Sequence, residues 1–220
     1  MPRKRIGYNH RDLALAFGAE LNLRLDSSDY PVLYHLQRII QKPCTVLDLG
    51  GNVGTHYLRY RKYLNLENIN WIVCDLPEIT KVGRERCAEM SNIEFINDFV
   101  EIKSAQIDVF LACGTLQYID IDSPDPLLQR LIDMGKRPAH ILIDVLPLYD
   151  GKQFVTLQNG GLVRYPQYVF NREGFIRAIT NLGYDLVDLW DNRFDSCVIP
   201  FHPKRSVHAY TGLCFSDRQS

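Results

Sequence analysis

No uninterrupted apolar run in this 220-residue chain exceeds about half a dozen residues, far short of the ~20 a membrane-spanning helix needs. Charge of one sign is missing too. The 25 Lys and Arg stand against 26 Asp and Glu, a net charge of -1, so no basic face for a nucleic-acid partner is expected. No apolar stretch follows the basic Arg3, Lys4 and Arg5, so no signal peptide is read; neither a nucleic-acid nor a membrane partner is expected, and the localisation expected is cytoplasmic. None of the six cysteines forms a C-x-x-C pair and their gaps match no zinc spacing, which leaves buried, reduced thiols as the expectation. Repeats and low-complexity tracts are absent, and an apolar content of 46% with 23% charged residues excludes disorder and coiled coil.

What is present is an alternation. Short apolar runs at Thr45–Leu49, Trp71–Asp75, Ile93–Ile96, Ile107–Cys113 and His140–Asp144 are separated by helical segments, the pattern of a parallel sheet covered by helices. Pro77 suits the first turn of a helix after the second run. Leu127, Leu128, Leu131 and Ile132 share one helix face that ends at Gly135. Asn171 reads as the N-cap of a helix carrying Phe175, Ile176, Ile179 and Leu182, stopped at Gly183. Strands at Leu186–Trp190 and Val207–Phe215 follow, joined without a helix and so expected to pair antiparallel. The fold class expected is therefore α/β, a Rossmann-like seven-stranded sheet with an antiparallel last strand and helices on both faces. Residues 1–41 read as an N-terminal helical cap, with two helices over 8–41, on a domain of residues 42–220. Residues 152–165 read as a small hairpin with its turn at Asn159-Gly160, emerging at the carboxyl edge of the sheet where such folds bind ligands.

The stretch Val46-Leu-Asp-Leu-Gly-Gly-Asn-Val-Gly54 is the most informative. A strand ending in glycines before a helix lets the backbone approach a ligand closely. Asp48 at the strand tip would repel a dinucleotide pyrophosphate but suits an ammonium or sulfonium. The spacing of Gly50 and Gly54, with Asn at 52, also departs from the G-x-G-x-x-G of NAD proteins. Asp75 ends the second strand, where a carboxylate accepts both hydroxyls of a ribose. Asp98, after the third, is placed for an adenine amino group, with Phe99 against the ring. Three carboxylates after three successive strands outline a nucleoside.

These features resemble the class I S-adenosylmethionine-dependent methyltransferases. More narrowly, Ser28-Asp-Tyr-Pro-Val-Leu33, Val46-Leu-Asp-Leu-Gly-Gly51, Thr115-Leu-Gln-Tyr118, Ile141-Leu-Ile-Asp144 and Tyr165-Pro-x-Tyr168 are similar, in this order, to a bacterial group of methyltransferase-like proteins encoded near biosynthetic gene clusters. The resemblance implies S-adenosylmethionine as cofactor. It would be held by Asp48, Gly50, Gly51, Asn52 and Gly54 of the loop, by Asp75 and Leu76, by Asp98 and Phe99, and by Cys113 and Gly114.

Over the sulfonium, Ala112-Cys-Gly-Thr-Leu-Gln-Tyr118 stands where enzymes acting on adenine or glutamine amides carry an Asp/Asn-Pro-Pro-aromatic motif, which argues against those substrates. Gln117, Tyr118, Tyr149, Tyr168 and Tyr30, together with Tyr165, are expected around the acceptor, where tyrosine rings attract a sulfonium by cation–π contact. No metal site is read; Asp144 and Asp150 lack a third ligand. No general base is obvious. His56 is the best placed histidine, His140 reads as structural, and His202 and His208 approach from the side. Cys113 has no cationic neighbour in sequence to lower its pKa and reads as a packing residue.

The expected function is methyl transfer to a small molecule of secondary metabolism. One alternative keeps the cofactor as sole substrate, its own α-amine closing on Cγ to give azetidine-2-carboxylate and methylthioadenosine. Another is an inactive, cofactor-binding regulatory subunit. A small-molecule substrate is the expected partner, with a homodimer as the oligomeric form.

Overall fold

The computed structural model describes residues 5–6, 9, 11–19, 24–160 and 163–219. In chain order these form β1 (Arg5–Ile6), α1 (Arg11–Ala19), α2 (Asp29–Ile39), β2 (Cys44–Leu49), α3 (Thr55–Tyr60), β3 (Ile69–Cys74), α4 (Pro77–Arg86) and β4 (Ile93–Ile96). There follow β5 (Val109–Cys113), α5 (Asp125–Asp133), β6 (His140–Leu146), β7 (Leu148–Tyr149), β8 (Phe154–Gly160), β9 (Val163–Asn171), α6 (Arg172–Asn181), β10 (Tyr184–Asn192) and β11 (Tyr210–Asp217).

The main sheet has seven strands in the order β10-β11-β6-β5-β2-β3-β4. β2 to β6 run parallel, and β11 lies antiparallel between β6 and β10. This is the α/β arrangement expected from the sequence, antiparallel last strand included. Successive residues of each strand face opposite layers, and that alternation assigns the helices. Leu47, Ile72, Phe110 and Ile141 pack with Leu128 and Leu131 of α5 and with Phe175 and Ile179 of α6. Val46, Trp71, Val73 and Leu111 pack with Val32, Leu33 and Leu36 of α2 and with Tyr57 and Leu58 of α3. Each fully buried aliphatic side chain contributes about 1.5–3 kcal/mol, so both layers are held firmly. α2 shares this second core directly with β2 and α3.

The helix ends follow the sequence signals. Asn171 caps α6 by accepting from the Gly174 N–H at 2.7 Å, and Pro77 stands in the first turn of α4.

The hairpin differs from its expected form. Pairing of β8 with β9 runs from Phe154↔Val169 to Gly160↔Val163, so Asn159 and Gly160 are paired strand residues and not the turn; residues 161–162 lie outside the described residues. β9 continues to Asn171 and forms a second, four-stranded sheet with β1, β7 and β8. At Pro166 only the β8 side of β9 is paired, because β1 and β7 pair with its two ends; a missing N–H is tolerated there. The last strand also starts later than expected. Val207 makes an isolated bridge to Cys197 instead of joining β11.

Candidate functional site

Strand order reverses at β2, which lies between β3 and β5, and ligands of open α/β sheets bind at the carboxyl ends beside such a point. The loop there is shaped by backbone that side chains resist. Gly50, Asn52 and Gly54 all have positive φ, at 72°, 58° and 87°. Gly50 is further required by space, since a β-carbon on it would lie 2.0 Å from Thr115 Oγ1.

A cavity of about 590 Å³ opens above this loop. Leu49, Gly50, Asn52, Thr55 and His56 form its floor, and Cys74, Asp75, Leu76, Pro77, Ile79 and Asn97 one side. Cys113, Gly114, Thr115, Tyr118 and Ile119 form the other. Thus Gly50, Asn52, Asp75, Leu76, Cys113, Gly114 and Tyr118, all expected from the sequence, meet around one space.

Asp75 is fixed by backbone: Oδ2 accepts from the Asn52 N–H at 2.9 Å and Oδ1 from the Leu76 N–H at 2.7 Å. Burial raises its pKa to about 6, although both N–H groups oppose the rise.

Asp48 is placed otherwise than expected. It has no solvent exposure and is not on the cavity wall. Its Oδ2 accepts from Trp71 Nε1 at 3.1 Å, and its Oδ1 lies 3.0 Å from His56 Nδ1. A β-carbon on Gly51 would sit 2.3 Å from Asp48 Oδ2, so this glycine roofs the carboxylate and does not line the cavity. Gly54 serves as N-cap of α3. His56 is therefore the group through which Asp48 reaches the cavity. Burial opposes charge on its ring, but the charge and hydrogen bond of Asp48 prevail and raise the pKa.

Asp98 also stands elsewhere than expected. Its carboxylate accepts from the Val100 N–H at 3.0 Å, capping the 3₁₀ turn Phe99–Glu101, and pairs with Arg130. Phe99 is buried in the core with the Arg130 guanidinium over its ring. The neighbouring Asn97 takes the wall position, its Nδ2 donating to the Asp75 carbonyl at 2.6 Å and to Thr80 Oγ1 at 2.7 Å.

Of the residues expected around the acceptor, only Tyr118 lines the cavity, its hydroxyl donating to Gln158 at 2.9 Å and its ring set edge-on to Tyr165. Gln117 is buried behind it. Its Nε2 donates to the Val145 carbonyl at 3.1 Å, bracing a β-branched residue held at φ 54°, while its Oε1 has no hydrogen-bond partner among the described residues. The Tyr168 hydroxyl donates to Asp120, the Tyr149 ring packs against Phe154, and Tyr30 is 62% exposed. Tertiary packing turns these rings away, a choice that residue type does not reveal.

Burial pushes the Cys113 thiol well above its ordinary pKa, with Asp144 adding to the rise, so it is a neutral wall residue. Asp144, its partner across to β6, accepts from Trp190 Nε1 at 3.0 Å, and burial raises its pKa to about 7. Asp150 pairs with Arg172 at 3.1 Å.

The sequence reading missed Asn97, Thr55, Ile119 and the coupling of His56 to Asp48. For Thr55 and His56 a signal existed: the first helical residues after a glycine loop are carried back over it.

No protein-family model and no curated protein sequence matches the chain. Solved structures do. An S-adenosylmethionine-dependent methyltransferase from Clostridium acetobutylicum superposes with a TM-score of 0.59 at 11% identity, covering 94% of this chain and 98% of that one. The 1,6-didemethyltoxoflavin-N1-methyltransferase of Burkholderia thailandensis, solved with 1,6-didemethyltoxoflavin and S-adenosylhomocysteine, gives a TM-score of 0.54 at 19% identity, covering 94% of this chain and 86% of that one. The fold is thus the Rossmann-like fold of class I S-adenosylmethionine-dependent methyltransferases.

Proposed function

We propose that this chain binds S-adenosylmethionine in the cavity at the switch point and transfers its methyl group to a small molecule. The observation that carries this reading is Asp75, a carboxylate anchored on the Asn52 and Leu76 N–H groups at the tip of β3 and facing a cavity with apolar sides. The residues fit the cofactor. Asp75 suits a ribose diol, Leu76, Pro77, Ile79 and Ile119 suit the faces of a purine, and Thr55 and Thr115 supply polar groups for an amino-acid tail. When bound, the cofactor supplies an electrophilic methyl carbon on a sulfonium. The chain's own part is to bind and orient it, since alignment of two reactants accounts for much of such a reaction's acceleration. A solved protein of this fold holds 1,6-didemethyltoxoflavin together with S-adenosylhomocysteine, which supports a small acceptor here as well, in keeping with secondary metabolism.

A second reading is favoured by one observation. Tyr30, Tyr149, Tyr168 and Gln117 do not line the cavity, so its walls come almost wholly from residues that would touch the cofactor. That suits a reaction whose nucleophile is the cofactor's own α-amine.

The test of both uses purified protein and methyl-labelled S-adenosylmethionine, with and without a small-molecule extract. Labelled product and S-adenosylhomocysteine that depend on the extract support methyl transfer. Methylthioadenosine formed with no acceptor supports cyclisation, and neither product overturns both.

A further inference from the structure

We propose that His56 is the proton acceptor for the attacking nucleophile, with Asp48 and Tyr60 as the residues that position it. The inference rests on the reading of S-adenosylmethionine as the electrophile and deepens it: the nucleophile must be one that sheds a proton, an O–H or N–H group.

An ionised carboxylate only accepts hydrogen bonds, so the Nδ1 edge of His56, 3.0 Å from Asp48 Oδ1, carries the proton of the neutral ring. The lone pair is then on Nε2. Asp48 is wholly buried and off the cavity wall, whereas His56 is on it, so the ring turns its Nδ1 edge inward and its opposite edge, with Nε2, toward the cavity. Among the described residues nothing hydrogen-bonds Nε2.

The ring is also fixed on its face. Tyr60 stacks on it at 5.7 Å between centroids, and the Tyr60 hydroxyl donates to Asp29 at 2.8 Å. Trp71 holds the second oxygen of Asp48. One edge and one face are constrained and one edge is left for a ligand, the arrangement a general base needs. In the step, the nucleophile's lone pair bonds to carbon, the carbon–sulfur pair returns to sulfur, and the proton passes to Nε2. The imidazolium so formed is paired with Asp48. The charged and titratable groups that face the ring are Asp48 from β2, Asp29 from α2, Arg59 and Tyr60 from α3, and Asp75 beyond β3.

The experiment compares wild type, His56→Asn and Asp48→Asn in three measurements. These are ¹⁵N NMR of the histidine tautomer, calorimetry with S-adenosylhomocysteine, and product formation from methyl-labelled S-adenosylmethionine with and without extract. The proposal expects an Nδ1-protonated His56 in wild type and S-adenosylhomocysteine affinity within about threefold in His56→Asn, with product formation down at least about 100-fold. Asp48→Asn should lower turnover while leaving the cofactor KM nearly unchanged. If Asp48→Asn does not fold, His56→Asn, on the cavity surface, carries the test alone. A neutral ring protonated on Nε2 alone, a His56→Asn affinity loss beyond tenfold, or turnover within threefold of wild type overturns the proposal. The affinity loss would make His56 a holder of the ligand's carboxylate instead. Wild type that binds S-adenosylmethionine but forms neither product overturns the methyl-transfer and cyclisation readings and this proposal together, a result distinct from retained turnover in His56→Asn.

Discussion

A β-carbon on Gly50 would lie 2.0 Å from Oγ1 of Thr115. The loop after β2 and the turn after β5 thus touch through the absence of one methyl group. Because Gly50 also has a φ of 72°, Gly50→Ala meets both a steric and a conformational penalty. The expected loss of stability is about 2–4 kcal/mol. S-adenosylhomocysteine affinity should fall more than about tenfold, since Thr115 must move and it forms part of the cavity wall. Gly50→Ala/Thr115→Gly should recover part of the stability, since the Thr115 β-carbon itself would lie 2.7 Å from the new one and contacting residues are non-additive. Urea unfolding of the two single variants and the pair checks this; strict additivity would show that the contact is not the cause.

Cofactor affinity should depend on Asp75 with a definite sign. Burial raises this carboxyl to about 6, and only the ionised form accepts from both hydroxyls of a ribose. Affinity for S-adenosylhomocysteine should therefore be full above pH 7 and fall about tenfold by pH 5. Asp75→Asn should bind more weakly at pH 8 and lose most of this pH dependence. Calorimetry at pH 5, 6, 7 and 8 decides; a wild-type affinity that is flat across the range rules out Asp75 as the diol receptor.

Asp29 ties α2 to α3. Its two oxygens accept from Tyr60 at 2.8 Å, from Arg59 at 2.7 Å and from the Asp26 N–H at 2.7 Å. Arg59 keeps its contact with Asp26 at 3.4 Å when Asp29 is removed, so the loss of its nearer, buried partner is expected to cost about 2–3 kcal/mol, under the full cost of breaking a buried pair. Asp29→Ala should be destabilised by about that amount in urea unfolding, and Tyr60→Phe by about 1 kcal/mol. An Asp29→Ala loss below that of Tyr60→Phe would show the Arg59 pair to be unimportant.

Much of this architecture was legible in the chain. Strand alternation marks both faces of β2, β3, β5 and β6, and Asn171, Pro77, Gly135 and Gly183 mark helix ends, because these signals are local and their partners lie within a turn. Gly50, Asp75 and Cys113 were legible as cavity-wall positions for the same reason: strand tips of a parallel sheet converge. What was not legible depended on distant partners. Asp98 gives its carboxylate to Arg130 on α5, and Asp48 gives its own to Trp71 and His56, so each was taken before a ligand could use it. Tyr149 and Tyr168 were turned aside by Phe154 and Asp120, contacts set by the second sheet. Residue type and strand position told which groups come near the cavity; side-chain direction belonged to the packing.

Asp144 gives the last test, because its expected effect runs against ordinary acid denaturation. It is 2% exposed, and burial raises its pKa to about 7 even though Trp190 Nε1 and the Val145 N–H favour the ionised form. A carboxyl whose pKa is higher folded than unfolded holds a proton in the native state that the unfolded chain releases. Its contribution to stability is therefore greatest below about pH 4, declines as pH rises toward 7, and stays low above that. Asp75, raised to about 6, adds in the same direction. Asn at position 144 keeps an acceptor for Trp190 without the charge. Asp144→Asn should thus match wild type near pH 4 and exceed it at pH 8 by about 1–3 kcal/mol, below the ~4 kcal/mol ceiling that a shift of this size sets. Urea titrations of both proteins at pH 4, 6 and 8 measure the difference. A variant less stable than wild type at pH 8 would mean that Trp190 and Val145 outweigh burial, and that Asp144 is an anion in the folded protein.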